Sequence, residues 1–449
     1  MYYKNFILLS ACLLIPVFMY AQQGEDTVAT KDTYHSFSFN DWNELTFNSL
    51  FTLFPQSDND SLKRSFGVNG GSVISSNALN LSFSVAALNN EFIDTDLKNS
   101  VSEDLSAMNV FEYNTEAEIY YRFVAERFIT ASPALLSFTL RAGSIQQSHF
   151  TEDLFNLAFY GNAGFAGTTA DISATKGLLY DYRQLRFGAQ QKFSGKSGTW
   201  EAGLGASVLL AKNGSAIKVN EGTVFTEENG EFIDAVYDFE YMQSDTGNKG
   251  TLQVDGFGAA ADLLLAYMPA HGKSRWTFHA NDLGLIFWNK HTNLYKADSS
   301  IHFEGIELSD FNNDGDAFLF EFNIDTLLKR TGTSSEVVAQ STALPARFAL
   351  TYSRILTERW LAGGGVAYRP SIDRIPLIYV QPVYAFAQWF NAGVLLSYGG
   401  TAEFQLGVMG RFTLNNRYRI QVGSGNVLGV FLPGESTSTS LFLQASVSF

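Results

Sequence analysis

Apolar and polar side chains alternate at every second position along most of this 449-residue chain. In residues 117–123, for example, Ile119, Tyr121 and Phe123 alternate with Glu118 and Arg122. Because side chains two positions apart share one face of a β-strand, the pattern predicts strands with one apolar and one polar face. Similar segments occur at 79–85, 136–141, 200–208, 347–353 and 403–408. Such strands build either a soluble β-sandwich or a membrane β-barrel.

The lengths of the connections distinguish these two folds. About fourteen strands are predicted, and they begin near residues 79, 117, 134, 180, 199, 258, 275, 344, 358, 378, 392, 402, 417 and 438. Short connections alternate with a second set that contains all the long ones, among them 213–256 and 290–342. A barrel with short periplasmic turns and long outer loops produces this segregation, whereas a Greek-key sandwich does not. We therefore predict an all-β fold, a transmembrane antiparallel β-barrel of about fourteen strands with long extracellular loops.

Aromatic residues support the membrane interpretation. Four tryptophans fall beside the predicted short turns, where an interfacial girdle belongs: Trp200, Trp276, Trp360 and Trp389. The last segment, LFLQASVSF, alternates up to Phe449, and a final strand that ends on an aromatic residue resembles the C-terminal signature of bacterial outer-membrane barrels.

One predicted strand changes phase. Its apolar face consists of even-numbered residues over 276–280 and of odd-numbered residues over 283–287. An extra residue in one strand shifts the alternation by one position. We therefore predict a β-bulge between 280 and 283, or an excursion of the chain beyond the bilayer.

The polar faces of the predicted strands would line the lumen. They carry both charge signs, in Glu116, Glu118, Arg122, Arg141, Arg186, Lys192, Glu201, Arg347, Arg369, Glu403, Arg411, Arg417 and Arg419. Paired charges of this kind usually brace a barrel, and that is the role predicted here.

The first 21 residues have the organisation of an export signal. Lys4 precedes an apolar run from 6 to 20, and Ala21 supplies a small residue for cleavage. Alternatively, the LSAC stretch that ends at Cys12 resembles a lipoprotein cleavage box, which would leave a lipid-modified Cys12. Cleavage after Ala21 would remove the only cysteine, so a disulfide is not expected. No later apolar run reaches 18 residues, so no transmembrane helix is predicted. The predicted localisation is the bacterial cell outer membrane.

Several stretches resemble a family of outer-membrane barrels from Bacteroidota that is known only as a domain of unknown function. They are FTEDLFNLAFYGNAGFAG (150–167), IHFEGIEL (301–308), NIDTLLKR (323–330) and TALPARFALTYSRI (342–355). The family is similar in architecture to the long-chain fatty-acid transporter barrels. The resemblance implies a barrel over 79–449 and an N-terminal segment, 22–78, folded into the lumen as a hatch. Residues 37–54 are apolar enough to fill a pore, or could form one more hairpin.

The same resemblance implies passive transport of a small hydrophobic molecule. The alternative is a scaffold without transport activity, whose long loops dock a secretion or surface-assembly partner. The expected partners are therefore outer-membrane lipid, a small hydrophobic ligand and, in the alternative, a surface protein.

Charge restricts the partners further. The net charge is −15, and no run of basic residues occurs, which argues against nucleic acid because phosphates require clustered Lys and Arg. Eight acidic residues between Lys218 and Lys249 could bind divalent cations or a basic partner, or could simply be solvated: Glu221, Glu227, Glu228, Glu231, Asp234, Asp238, Glu240 and Asp245.

One segment matches a calcium-loop pattern. In DFNNDGDAFLFE (310–321), oxygen ligands would come from Asp310, Asn312, Asp314, Asp316 (through its carbonyl) and Glu321. No helical pattern precedes this segment, and an ordinary acidic turn in an outer loop is the alternative reading. No other cofactor is predicted.

Catalytic motifs are missing from the sequence. Neither an HExxH metal motif nor a GxSxG nucleophile elbow occurs, and no spacing of Ser, His and acidic residues points to a triad. The sequence therefore predicts no catalytic residue and no enzymatic activity.

Overall fold

The computed structural model describes residues 63–128, 132–245, 247, 250, 253–304, 333–415 and 417–449. Fourteen antiparallel strands form a closed barrel wall, as the sequence predicted. Strands are numbered in chain order, and the wall strands are β1 (Arg64–Ser76), β2 (Met108–Ala125), β3 (Ala134–Thr151), β5 (Lys176–Gly195), β6 (Gly198–Thr226), β8 (Gly256–Pro269), β9 (Ser274–Trp288), β13 (Arg347–Ile355), β14 (Trp360–Tyr368), β15 (Ile375–Ala387), β16 (Phe390–Gly400), β17 (Ala402–Leu414), β18 (Tyr418–Ser424) and β19 (Ser438–Ser448).

The barrel closes where the two ends of the described chain meet. β1 pairs with β2 on one side and with β19 on the other. Arg64 and Phe449 exchange both backbone hydrogen bonds, at 2.9 and 3.0 Å. The C-terminal strand therefore leaves no unpaired edge, which is what a wall surrounded by lipid requires.

The connections separate by length as predicted. Those at the end where Arg64 and Phe449 meet are short, for example 196–197 and 270–273. We call this end the short-turn end. The opposite end, the long-loop end, carries every long connection, including 77–107 and 289–346.

The prediction that the first strand begins near residue 79 is wrong. Residues 81–88 form a helix, and the first strand is Arg64–Ser76. Asn80 caps this helix by accepting a hydrogen bond from the amide of Phe83 at 2.9 Å. A short apolar run with only three polar interruptions fits a buried helix as well as a strand, and packing decides between them. The wall therefore includes 64–76 of the predicted 22–78 lumen segment, and residues 22–62 lie outside the described residues.

Helices occur only in the connections at the long-loop end, among the described residues. The α-helices are α1 (Leu81–Leu88), α2 (Thr95–Ser102), α3 (Glu152–Tyr160) and the single turn α4 (Leu428–Phe431), and a 3₁₀ helix spans Asn162–Phe165. The first three share an apolar cluster in which the rings of Phe83 and Phe155 lie 5.5 Å apart. No helix in the described part of the chain is both long and apolar enough to span a membrane.

Apolar side chains point out of the wall and charged ones point in. On β3, Leu140 is 57% exposed while the neighbouring Arg141 is 4% exposed. Trp200, Trp276, Trp360 and Trp389 all lie on the outer surface near the short turns, each with an aromatic neighbour. The predicted girdle is thus present at one rim.

The lumen carries both charge signs, as predicted. The buried charged residues of the wall include Glu118, Arg122, Arg186, Glu201 and Arg411. Two residues of the predicted lining differ. Glu403 is exposed beside a register shift between β16 and β17, and Arg417 is exposed in a short turn.

The predicted bulge is present in β9. Ala261 of β8 pairs with Leu283 and Leu263 pairs with Ala280, so that Asn281 and Asp282 together oppose one residue. Asp282 adopts a positive φ of 57°, in the left-handed region that such bulges use. As a result, both Asn281 and Asp282 are buried on the lumen side.

A second group of strands lies beyond the wall at the long-loop end. The remaining strands are β4 (Thr168–Asp171), β7 (Ile233–Gln243), β10 (Asn293–Phe303), β11 (Ser334–Val337) and β12 (Ser341–Ala343). β4, β7, β10, β11 and residues 219–226 of β6 pair into what we call the outer sheet. β12 pairs with the end of β9.

Candidate functional site in the lumen

Side chains from opposite walls meet inside the barrel. Arg347 on β13 contacts Glu116 on β2 at 3.4 Å, although β3, β5, β6, β8 and β9 lie between these two strands around the ring. Arg369, directly after β14, contacts Glu112 on β2 at 2.7 Å. Contacts between strands so far apart in the ring require the two walls to approach each other. β2 and the β13–β14 side therefore divide the lumen into two lobes.

At mid-height, the approach of the walls is held by seven charged side chains. Arg141 contacts Asp282 at 3.0 Å and Glu118 at 3.5 Å, and it also pairs with Glu116. Arg186 contacts Asp262 at 2.8 Å. We call this group the lumen charge network: Glu116, Glu118, Arg141, Arg186, Asp262, Asp282 and Arg347. Its buried ions are mutually paired, which is the condition under which charge can be kept away from water.

The strand geometry explains how the network forms. Glu116 and Glu118 are two positions apart on β2 and so share its inner face. The bulge in β9 adds Asp282, whose amide donates to the Asp262 carboxylate at 3.0 Å. Gln184 donates to Asp282 at 3.2 Å and to Ser207 at 2.8 Å. The bulge thus places a carboxylate where regular alternation would have placed an outward side chain.

A second ionic contact joins the walls nearer the long-loop end. Arg369 holds Glu112 through two hydrogen bonds of 2.7 and 2.8 Å, and it contacts Asp373 at 2.6 Å. Thr401 also donates to Glu112, at 3.1 Å. Burial alone would lower the pKa of Arg369, but the carboxylates of Glu112 and Asp373 raise it above its ordinary value. Arg369 therefore remains a cation that ties β2 to the connection on the opposite wall.

A small pocket lies beside the charge network in the lobe formed by β3, β5, β6 and β9. Its polar side includes Arg141, Asp282 and Arg347, and its apolar side includes Ile145, Leu209 and Leu344. It encloses about 240 Å³, its opening to solvent included. Most of that space is open solvent, because Tyr180 and Leu209 in its lining are 0% and 1% exposed, and its enclosed part holds about one water molecule.

An apolar cluster covers the long-loop side of this pocket. Tyr180, Leu209, Ile286 and Trp288 belong to it, and all four are almost completely buried. The Trp288 indole donates to Thr342 at 3.0 Å, which fixes the ring across the lobe. Gly214 lies against the ring, where a Cβ would come within 2.1 Å of it. From the long-loop end inward, the lobe is thus apolar first and charged second.

The residues predicted to bind calcium, Asp310, Asn312, Asp314, Asp316 and Glu321, lie outside the described residues. Of the acidic stretch, Asp234, Asp238 and Glu240 belong to β7 in the outer sheet. Within the described part of the chain, no group of three or more His, Cys, Asp or Glu side chains is arranged to hold a metal ion.

Sequence reasoning missed Asp262, Asp282 and Tyr180 as members of the site. The phase change over 280–283 contained the signal for Asp282, because an Asn-Asp pair at a bulge must send polar side chains inward together. Nothing in the sequence pairs β3 with β9 across the lumen, so the partner of Arg141 could not be deduced.

Comparisons with known proteins give one matching family and several similar solved structures. A family model described as "Family of unknown function (DUF5723)" matches residues 61–418. Among proteins with curated annotation, none matches the chain. A mutant of the monoaromatic hydrocarbon channel TodX is similar with a TM-score of 0.42 at 9% identity, covering 86% of this chain and 89% of that one.

Two further solved structures are similar over comparable lengths. The toluene transporter TbuX of Ralstonia pickettii has a TM-score of 0.39 at 9% identity, covering 86% of this chain and 88% of that one. A FadL homologue of Pseudomonas aeruginosa has a TM-score of 0.36 at 10% identity, covering 86% of this chain and 90% of that one.

Proposed function

The chain belongs to DUF5723, a family of unknown function, and from that premise we propose that it is an outer-membrane β-barrel through which a small hydrophobic molecule crosses passively. The main support for a membrane location is the polarity of the wall, which is the reverse of that in a soluble protein. Large apolar side chains cover its outside and paired charges fill its inside, and a surface of that kind is stable against lipid rather than against water.

The proposal that the molecule is hydrophobic is supported by the order of layers in the lobe. A solute arriving from the long-loop end would have to displace the buried side chains of Leu209, Ile286 and Trp288 before it reached the lumen charge network. Apolar solutes gain free energy at such a surface, at about 25 cal/mol for each Å² of apolar area that is buried. The lumen charge network would then block the solute until β2 and β13 move apart.

Residues 22–62 remain a proposed hatch. The segment is long enough to enter the lumen from the short-turn end, where β1 begins, and its apolar part at 37–54 would suit a lobe lined by aromatic rings. Its removal should increase leak through the barrel without preventing insertion.

Location and orientation can be tested together in intact cells. Single cysteines at Ser197, in a short turn, and at Glu228, in the outer part of the chain, are both exposed to solvent. A membrane-impermeant maleimide should label Glu228→Cys in whole cells and Ser197→Cys only after lysis. The reverse pattern would contradict the orientation, and recovery of the protein in the soluble fraction would contradict the membrane proposal.

Transport can be measured in proteoliposomes with the dye 1-N-phenylnaphthylamine. We expect faster influx with the protein than without it, and a further increase when residues 22–62 are deleted. Trp288→Ala should also increase influx, because it removes the ring that crosses the lobe. The matched control is Trp276→Ala, which removes a ring from the outer surface and should leave influx unchanged.

The outer sheet favours docking as a second candidate function. This sheet extends the long-loop end beyond the wall and stacks Tyr241 on Tyr295 at 5.8 Å. A regular sheet outside the membrane can add a strand from another protein at its edge. If replacing residues 228–245 and 293–304 with short linkers abolishes a cellular phenotype while dye influx persists, docking is the better account.

A further inference from the structure

Positive charge surrounds the barrel at the short-turn end. The six connections at this end are 126–133, 196–197, 270–273, 356–359, 388–389 and 415–417. Five of them contain a Lys or Arg, and we call these five side chains the basic ring: Arg127, Lys196, Lys273, Arg359 and Arg417. The acidic side chains of the same connections are Glu358 and Glu126, and Glu126 already pairs with Lys63 at 3.5 Å.

The connections at the long-loop end have the opposite charge. Residues 77–107, between β1 and β2, contain five acidic residues and one lysine. Residues 152–175, between β3 and β5, contain three acidic residues and no basic one. Because the whole chain has a net charge of −15, the basic ring is a local excess of positive charge that composition does not explain. A surface with one sign of charge attracts partners of the other sign.

The basic ring lies directly beside the tryptophan girdle. Lys196 precedes Trp200 by four residues, and Lys273 precedes Trp276 by three. Both lysines are exposed, and so is Arg417. Tryptophan rings concentrate where the hydrocarbon of a bilayer meets its headgroups. In a wall surrounded by lipid, the basic ring is therefore level with the lipid phosphate groups.

The distribution of the basic ring distinguishes between kinds of partner. Its five members follow β2, β5, β8, β13 and β17, so they are spread around the circumference of the wall. A soluble anion requires cations that converge on one point, and a protein partner requires them on one side. A lipid leaflet contacts all sides of a barrel at once, and phosphate is a good partner for Lys and Arg.

We infer that the basic ring binds the headgroups of anionic phospholipids in the leaflet at the short-turn end. The acidic connections at the long-loop end would repel such lipids, so the preference should be confined to one leaflet. The inference uses only the membrane location from the proposed function. It goes beyond that function because it does not depend on what crosses the barrel.

Quenching of tryptophan fluorescence by brominated lipids tests the inference. Four of the six tryptophans lie at this rim, within reach of the lipids that the basic ring would hold. The full-length protein is reconstituted into mixed vesicles of phosphatidylcholine and phosphatidylglycerol, and one lipid or the other is brominated. The ratio of the two quenching curves gives the relative affinity for the anionic lipid.

We expect phosphatidylglycerol to bind about two- to five-fold more tightly than phosphatidylcholine at low salt, with the preference lost at about 1 M NaCl because salt screens the attraction. The triple variant Lys196→Gln, Lys273→Gln and Arg417→Gln should lose at least half of the preference. A control that removes the same charge from the long-loop end changes three exposed lysines, Lys218→Gln, Lys290→Gln and Lys296→Gln. The control should keep the wild-type preference.

Several results would overturn the inference. Equal quenching by the two lipids at low salt, or a preference that the triple variant retains in full, would mean that the ring holds no anionic lipid. Loss of the preference on adding inorganic phosphate at constant ionic strength would indicate a site for a soluble anion. A preference that appears only after deletion of the acidic segment 22–62 would assign the ring to that segment. Quenching by neither lipid would contradict the membrane location itself, whereas absence of dye influx would contradict transport and leave the lipid preference standing.

Discussion

The wall and the outer sheet consist of the same kind of alternating strand, yet they hold their charges differently. β6 runs through both, with its first half in the wall and residues 219–226 in the outer sheet. In the wall, Arg141 and Arg186 are buried among carboxylates. In the outer sheet, Lys296 and Glu336 are both about half exposed and lie 3.7 Å apart. Alternation determines which side chains share a face of a strand. Closure of the wall determines whether the charged face is buried in the lumen or exposed to water.

This difference in burial determines how much an ion pair contributes to the stability of the fold. A buried ion whose partner is lost stays away from water and unpaired, which costs several kcal/mol. An exposed ion whose partner is lost is simply hydrated, so that surface pairs contribute about 0–1 kcal/mol. The lumen charge network should therefore be sensitive to any single substitution and the outer sheet tolerant.

The largest effect is expected for Arg141→Met. The substitution keeps an unbranched side chain of similar stem but removes the guanidinium group, which leaves Glu116 and Asp282 short of their main cation, and the free energy of unfolding should fall by about 3–5 kcal/mol. Urea unfolding of the barrel in detergent or liposomes measures this change.

The matched variant in the outer sheet is Lys296→Met, which removes the same charge where water can replace it. It should change the free energy of unfolding by less than about 1 kcal/mol. Equal losses for the two variants would contradict the contrast between wall and outer sheet.

An inserted charge tests the outer faces of the two regions. Leu204 is 68% exposed midway along the wall part of β6, and Val236 is 42% exposed on β7 of the outer sheet. Leu204→Arg should cost about 2–4 kcal/mol if lipid surrounds the wall, because the charge would lie near the bilayer midplane. Val236→Arg should be nearly neutral. A neutral Leu204→Arg in liposomes would mean that this face of the wall meets water.

The contact between opposite walls is tested by Arg347→Gln. Its side chain is 29% exposed and Glu116 keeps Arg141 as a partner, so we expect a loss near the lower end for a hydrogen bond to a charged group, about 1.5 kcal/mol. The walls should also separate more easily, which planar-bilayer recordings would detect as increased conductance. Arg354→Gln, an exposed arginine on the same strand, is the control and should change neither quantity. Strong ion selectivity of either protein would contradict the mixed-charge lining.

Much of the wall could be predicted from the sequence because each wall strand carries its own signal. Thirteen of the fourteen predicted starts fall inside a wall strand or no more than three residues before its first residue, and the bulge in β9 is visible in the sequence as a change of phase. The exception was the first strand. The first strand, RSFGVNGGSVISS, contains three glycines and few large apolar residues, so its alternation is too weak to predict a strand. The more apolar stretch 79–88 contains a helix instead.

The site could be predicted only in part. Glu116, Glu118, Arg141 and Arg347 were assigned to the lumen because inward orientation follows from alternation. Their partners could not be assigned, because the approach of β2 to β13 depends on how the ring is deformed in cross-section. Tyr180 was missed for a related reason, since an unpaired hydroxyl is a property of its surroundings and not of its position in a strand.

The smallest effect concerns pH and the exposed end of the outer sheet. His302 on β10 contacts Asp234 on β7 through Nδ1 and Glu304 through Nε2, the latter at 3.1 Å. These hydrogen bonds, first that to Asp234, raise the pKa of His302 above its ordinary value. A histidine with a raised pKa in the folded state stabilises that state fully below the pKa of the unfolded chain, about 6.5, and the stabilisation is lost as the pH rises through the folded pKa.

Amide hydrogen exchange in 293–303 should therefore show more protection at pH 5.5 than at pH 8.5, once each rate is divided by the intrinsic rate at that pH. In His302→Gln this difference should disappear, while exchange in β19 should be the same in both proteins. A pH dependence that survives the substitution would assign the effect to the acidic residues around it.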